Sequence, residues 1–152
     1  MLHHLNWINA DWEDKSLILQ AKSLMASNSW QEKDENFILA SKEFRVYSQW
    51  GDDGIIQYLI HKLNINNRNF IEFGVGSYFE SNTHFLLVNN NWSGFIMDGS
   101  QKCMDIVRDN PFFWRYDLKL KVAFIDKDNI NNLLTESNFS DIGLLHIDLD
   151  GN

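Results

Sequence analysis

From Asn69 onward short apolar runs alternate with segments of helical spacing, and this alternation restricts the fold more than any other feature of the chain. The runs are Phe70–Phe73, Gly94–Asp98, Val122–Ile125 and Ile142–Leu149. They are nearly all apolar instead of switching polarity at every residue, which is the pattern of strands covered on both faces. Between them, 82–90 reads as a helix stopped by Asn89-Asn90-Asn91, and 101–109 as a helix ended by Asn110-Pro111. Asp128 caps a further helix that carries Ile130, Leu133 and Leu134. Strands and helices in strict turn predict a parallel sheet with helices on both faces. Right-handed crossovers make it a Rossmann-like, doubly wound α/β arrangement.

The first third of the chain reads differently. Residues 1–14 are aromatic and acidic without a clear period, and Asp14 stands where it can cap a helix with Leu17, Ile18, Ala21, Leu24 and Met25 on one face. A second helical pattern runs from Glu32 to Ser41. These segments are too short to bury a core alone, so 1–47 is expected to be an N-terminal helical extension and 48–152 the sheet domain. Ser48-Gln49-Trp50-Gly51-Asp52-Asp53-Gly54 is a polar turn rich in capping residues, and Ile55, Ile56, Leu59, Ile60 and Leu63 behind it predict an amphipathic helix over 53–63. Asn64–Asn69, with four asparagines, is a loop.

Composition removes several classes of function. The chain has 152 residues, 44% hydrophobic and 22% charged, which suits one soluble domain with a core of its own. Its net charge of −8, with no block of Lys or Arg, disfavours a phosphate backbone, so no nucleic-acid partner is expected. Cys103 is the only cysteine, which excludes internal disulfides and cysteine metal sites and leaves a half-buried helix residue. Met1–Trp7 lacks the basic and apolar regions of a signal peptide, and no apolar stretch is long enough for a bilayer. A cytoplasmic protein without a membrane partner is expected.

Ligands of open parallel sheets bind beyond the carboxyl ends of the strands. Here those ends carry Glu72 with Gly74 and Gly76, then Asp98, then Asp126, then Asp148 and Asp150. Glycines permit a tight turn and close approach of a ligand, and a helix starting at Ser81-Asn82 would offer unpaired N–H groups to an anion. An acid after the second strand can accept both hydroxyls of a ribose. A dinucleotide fingerprint fits badly, because its third glycine would fall on Phe79 and the acid at Glu72 is no part of it. The strand period puts His146, Asp148 and Asp150 on one side and Leu145, Ile147 and Leu149 on the other. Less specific readings stand beside these. His146 reads as a packed, hydrogen-bonded residue, His84 as a helix surface residue, and Trp50, Trp92 and Trp114 as packing residues. Gln49 and Asp53 are either ligand contacts or helix caps.

Glu72-x-Gly74-x-Gly76, followed by Asp98, resembles the first motif and the ribose-binding acid of class I S-adenosylmethionine-dependent methyltransferases. More closely, Ser48–Gly54, Phe70–Asn82 and Leu145–Asn152 are similar to the FkbM-like methyltransferases and their uncharacterised relatives, over roughly residues 44–152. The resemblance implies that Gly74 and Gly76 line the methionine part of S-adenosylmethionine, with Glu72 supporting their loop. It further implies Asp98 on the ribose, Asp126 and Lys127 near the adenine, and Asp148 and Asp150 beside the sulfonium and the acceptor, with no metal assigned. A frequent third glycine of the first motif is Tyr78 here. The family's sheet has seven strands in the order 3-2-1-4-5-7-6, of which this chain supplies the first four. The implied function is the N-terminal, cofactor-binding half of a methyltransferase acting on a small-molecule or glycan acceptor, with little activity alone. Its fourth strand would be an exposed edge open to homodimer pairing. The alternatives are a non-catalytic nucleoside-binding fragment and a metal-dependent glycosyltransferase using Asp148-x-Asp150.

Overall fold

A computed structural model describes residues 2–27, 30, 38–111 and 113–149. Asp150 and most of the helix expected over 32–41 lie outside the described residues; Leu39–Lys42 forms a 3-10 turn. Strands β1 (Asn69–Phe73), β2 (Ser93–Asp98), β3 (Leu118–Val122) and β4 (Leu144–Ile147) make one sheet in the order β3-β2-β1-β4, and every pair is parallel. The register sets Ile71 beside Phe95 and Leu145, and Glu72 beside Ile96 and His146. The chain is therefore a Rossmann-like α/β protein, as the alternation predicts.

Helices cover both faces. On one, Phe70 and Ile96 pack with Ile56 of α2 (Asp52–Lys62), Leu86 and Leu87 of α3 (His84–Val88), and Met104 and Val107 of α4 (Gln101–Asp109). On the other, Ile71, Phe73, Phe95 and Met97 pack with Leu133 and Leu134 of α5 (Ile130–Thr135). Each interior strand residue therefore removes its apolar side chain from water whichever way it points, which accounts for the unbroken apolar runs. β1 holds the middle of this core: none of Phe70, Ile71, Glu72 and Phe73 is more than 1% exposed.

Several boundaries differ from the sequence reading. The third strand is Leu118–Val122, not 122–125. As an edge strand it alternates, with Lys121 reaching Glu136 at 2.6 Å and Lys119 donating to the Ser137 carbonyl, so the search for an unbroken apolar run lands four residues late. Asp126, not Asp128, turns the chain into α5: its carboxylate accepts the amides of Asp128 and Asn129 at 2.8 and 2.9 Å. Asp14 is no cap either, because α1 runs from Leu2 to Met25 through a stretch without glycine or proline. The second half of α1 packs Ile18, Ala21 and Met25 against Tyr47 and Phe85. Trp92 is buried as expected, but Trp50 and Trp114 are each 80% exposed. Cys103 is a half-buried free thiol in α4. Among the described residues no helix is long and apolar enough to cross a membrane.

Candidate functional site

β1 ends in a loop that runs from Gly74 to Thr83 before α3 begins. Gly74 (φ +78°), Gly76 (φ +53°) and Tyr78 (φ +67°) all have left-handed backbones. Gly74 is forced by packing as well as by φ: a Cβ there would lie 1.8 Å from the Asp148 carbonyl oxygen. The close approach exists because Asp148 N–H extends the β1–β4 ladder to the Phe73 carbonyl at 3.0 Å. Gly76 is the opposite case, with nothing within 4 Å of where its Cβ would stand. Tyr78 keeps a glycine's backbone and still buries its ring completely, with its hydroxyl 3.1 Å from Thr83 Oγ1. A left-handed non-glycine costs roughly 1–2 kcal/mol, while removing a buried aromatic ring costs about 3–5 kcal/mol, so the buried ring wins.

Glu72 holds this loop shut. Its carboxylate is 1% exposed and accepts Ser81 Oγ and Thr83 Oγ1 at 2.5 Å and the amides of Asn82 and Thr83 at 3.2 Å. His146, its register partner on β4, places Nδ1 3.2 Å from Glu72 Oε1 and Nε2 3.1 Å from Asn82 Nδ2. Burial pushes the Glu72 carboxyl up, but His146, Ser81 and Thr83 together outweigh it and hold it below its ordinary value. Glu72 in turn raises the His146 imidazole, against the partial burial of the ring. The helix start expected to offer N–H groups to an anion therefore offers none of these: the amides of Asn82 and Thr83 are taken by Glu72, and α3 begins only at His84.

The other side of the glycine turn is braced by Asp98. Its Oδ2 accepts Gly76 N–H at 2.8 Å and its Oδ1 accepts Ser100 N–H at 2.7 Å, leaving lone pairs on both oxygens free for further donors. Two cavities meet at this turn and share Gly74, Gly76 and Asp148. The larger, about 540 Å³, runs between Asp98-Gly99 at the end of β2 and Ala123, Phe124, Ile125 and Leu149. The smaller, about 250 Å³, lies under the loop, with Gln49, Glu72, Tyr78, Glu80 and Ser81 among its walls. Neither is lined by a lysine or arginine among the described residues, whereas Glu72, Glu80, Asp98 and Asp148 are all in their walls.

The structure thus brings Glu72, Gly74, Gly76, Asp98 and Asp148 together. It does not bring Asp126 and Lys127 with them: both are exposed and absent from the cavity walls, where the preceding Ala123–Ile125 stand instead. Asp150 falls outside the described residues. Gln49 lines the smaller cavity, and Asp53 holds it there from a distance, accepting the amides of Val46, Tyr47 and Ser48 at 2.7, 2.7 and 3.0 Å. His84 is not a surface residue. It is 3% exposed, stacked on Tyr47 with ring centres 3.9 Å apart, and burial lowers its pKa to about 4. His146 is packed and hydrogen-bonded as expected, but its pairing with Glu72 was visible only through strand register. Phe124, 83% exposed at the cavity wall, reads in the sequence as an interior residue of the third strand and carries no signal of a site residue. Among the described residues no three His, Cys, Asp or Glu side chains gather in a metal-binding group.

No protein-family model, curated protein or solved structure matches this chain. The 3-2-1-4 strand order occurs in the dinucleotide-binding kind of doubly wound sheet and does not by itself single out a ligand. What the corner holds is therefore argued from its own chemistry.

Proposed function

We propose that the chain binds S-adenosylmethionine at the Gly74–Gly76 corner and serves methyl transfer to a small-molecule or glycan acceptor. One observation carries the reading: at the carboxyl end of the sheet a two-lobed cleft opens on the glycine turn, and carboxylates outnumber basic groups in its walls. Its walls hold four carboxylates and no lysine or arginine among the described residues, with Glu80 paired to Arg45 at 3.7 Å and Glu72 to His146 from behind; the amides of Asn82 and Thr83 are taken by Glu72 and that of Gly76 by Asp98. At an effective dielectric of about 20–80, a unit charge about 6 Å from one carboxylate is worth roughly 1–3 kcal/mol. A diphosphate would be repelled, which weighs against a nicotinamide dinucleotide and against a sugar nucleotide. S-adenosylmethionine has no phosphate and, with a sulfonium and an ammonium against one carboxylate, is a net cation, which fits the field; the two lobes together have the size of a small-molecule site.

In this reading Asp98 accepts ribose hydroxyls with the lone pairs its backbone partners leave free. Phe124, Ile125 and Leu149 give the base an apolar wall, and the open face of Gly76 admits the amino-acid chain. The cofactor supplies an activated methyl group; the protein's part is to align donor and acceptor and exclude water. Asp148, exposed and in the wall of both lobes, is the described carboxylate placed to orient an acceptor or take its proton. Titration calorimetry with S-adenosylhomocysteine tests the assignment. The wild-type chain binds and Asp98→Ala does not; equal affinity in both removes Asp98 from the ribose site.

A further inference from the structure

We propose that His146 is a positioning residue for the ligand loop, tying strand β4 to Glu72 and Asn82 so that the glycine turn keeps the shape of the site. The geometry is a three-point link. β1 supplies Glu72, β4 supplies His146 directly beside it in register, and the loop supplies Asn82. Glu72 alone holds the loop's far end through Ser81, Asn82 and Thr83. His146 adds a second grip on that end and places a donor beside a carboxylate that would otherwise be a buried charge facing only neutral groups.

The chemistry allows two forms of the link. In the neutral form His146 accepts from Asn82 Nδ2 with Nε2, while Nδ1 stands 3.2 Å from Glu72 Oε1 outside hydrogen-bond geometry. In the charged form that contact is an ion pair, and Nε2 donates to the Asn82 amide turned to present its oxygen. The charges that reach the ring are Glu72 from β1, Asp52 from α2 and Asp148 on its own strand, all acidic. They favour the charged form, whose ion pair with Glu72 is the stronger of the two links. The sign follows: the grip is fully present below the ordinary histidine value of 6.5 and weakens as pH rises through the raised value in the folded chain. On the acid side it persists above the ordinary glutamate value of 4.5 and is lost as pH falls through the lowered value of Glu72.

The inference about ligand affinity rests on the proposed cofactor reading, whereas the inference about the loop does not, so the test has two readouts. The first is amide hydrogen exchange of Asn82 and Thr83 without ligand; the second is affinity for S-adenosylhomocysteine. In the wild-type chain both protection and affinity fall between pH 6 and pH 9. His146→Phe, which keeps a ring and removes both partners, speeds exchange at Asn82 and Thr83 and weakens affinity by about tenfold at pH 6, while β2 amides stay protected. His146→Lys restores the cation and flattens the profile up to pH 9. Unchanged exchange at Asn82 and Thr83 in His146→Phe overturns the proposal. If exchange responds as stated but no S-adenosylhomocysteine binds at any pH, the positioning role stands and the cofactor reading fails.

Discussion

Gly74 and Gly76 share a left-handed backbone but meet different surroundings, so the same substitution separates fold from function. Gly74→Ala drives a methyl group into the Asp148 carbonyl oxygen 1.8 Å away, and both strands it joins must part. It is expected to melt far below the wild-type chain or fail to fold. Gly76→Ala meets no atom within 4 Å and costs only the left-handed strain of roughly 1–2 kcal/mol. It is expected to fold and to lose ligand, because its methyl group enters the cavity. Thermal melts beside calorimetric titrations distinguish the two; a Gly74→Ala chain that melts like wild type contradicts the packing. His84 makes a different residue-scale prediction. Burial lowers its pKa to about 4, so the unfolded chain takes up a proton near 6.5 before the folded chain does. The stability held by neutral His84 is complete above 6.5 and drains away as pH falls towards 4, about 3 kcal/mol in all. His84→Phe removes that loss, and its stability relative to wild type should rise by this amount between pH 7 and pH 4 in denaturant titrations. A pH-independent difference would mean that the ring is not buried.

At the scale of elements, what could be read in advance follows how completely an element is covered. β1 and β2 lie between helices on both faces, so their apolar runs were legible to within a residue. α2 and α4 likewise fall where their spacing and their Asn-Pro or asparagine stops put them. β3 was misplaced because an edge strand is covered on fewer sides and spends its lysines on α5 and the turn after it. α3 holds its apolar run but starts later than the helix expected over 82–90, because Ser81, Asn82 and Thr83 serve Glu72 instead of starting a helix, a long-range bond no local pattern encodes. Among the described residues β4 is the second edge, with Leu145 41% and Ile147 53% exposed and no strand paired on its far side. Such an edge accepts another strand. Light scattering is expected to show association at high concentration that Ile147→Lys suppresses; a wild-type chain that stays monomeric throughout removes edge pairing.

For the whole molecule, the strand order and the meeting of Glu72, Gly74, Gly76, Asp98 and Asp148 at one end of the sheet were legible, because a parallel sheet collects the ends of its strands. The use of those acids was not. Glu72 is spent on the loop, Asp98 divides itself between the loop and open space, and Asp126 only turns the chain into α5. What remains facing the cavities, among the described residues, is a wall with carboxylates and no lysine or arginine in a chain of net charge −8, and on it rests the central proposal, a nucleoside site that favours a cation over phosphate. Parallel calorimetric titrations of the wild-type chain with S-adenosylmethionine, with its uncharged-sulfur product S-adenosylhomocysteine and with NAD, at one ionic strength, test it most directly. S-adenosylmethionine is expected to bind at least as tightly as S-adenosylhomocysteine, and NAD far more weakly than either or not at all. Tighter binding of NAD would contradict the account.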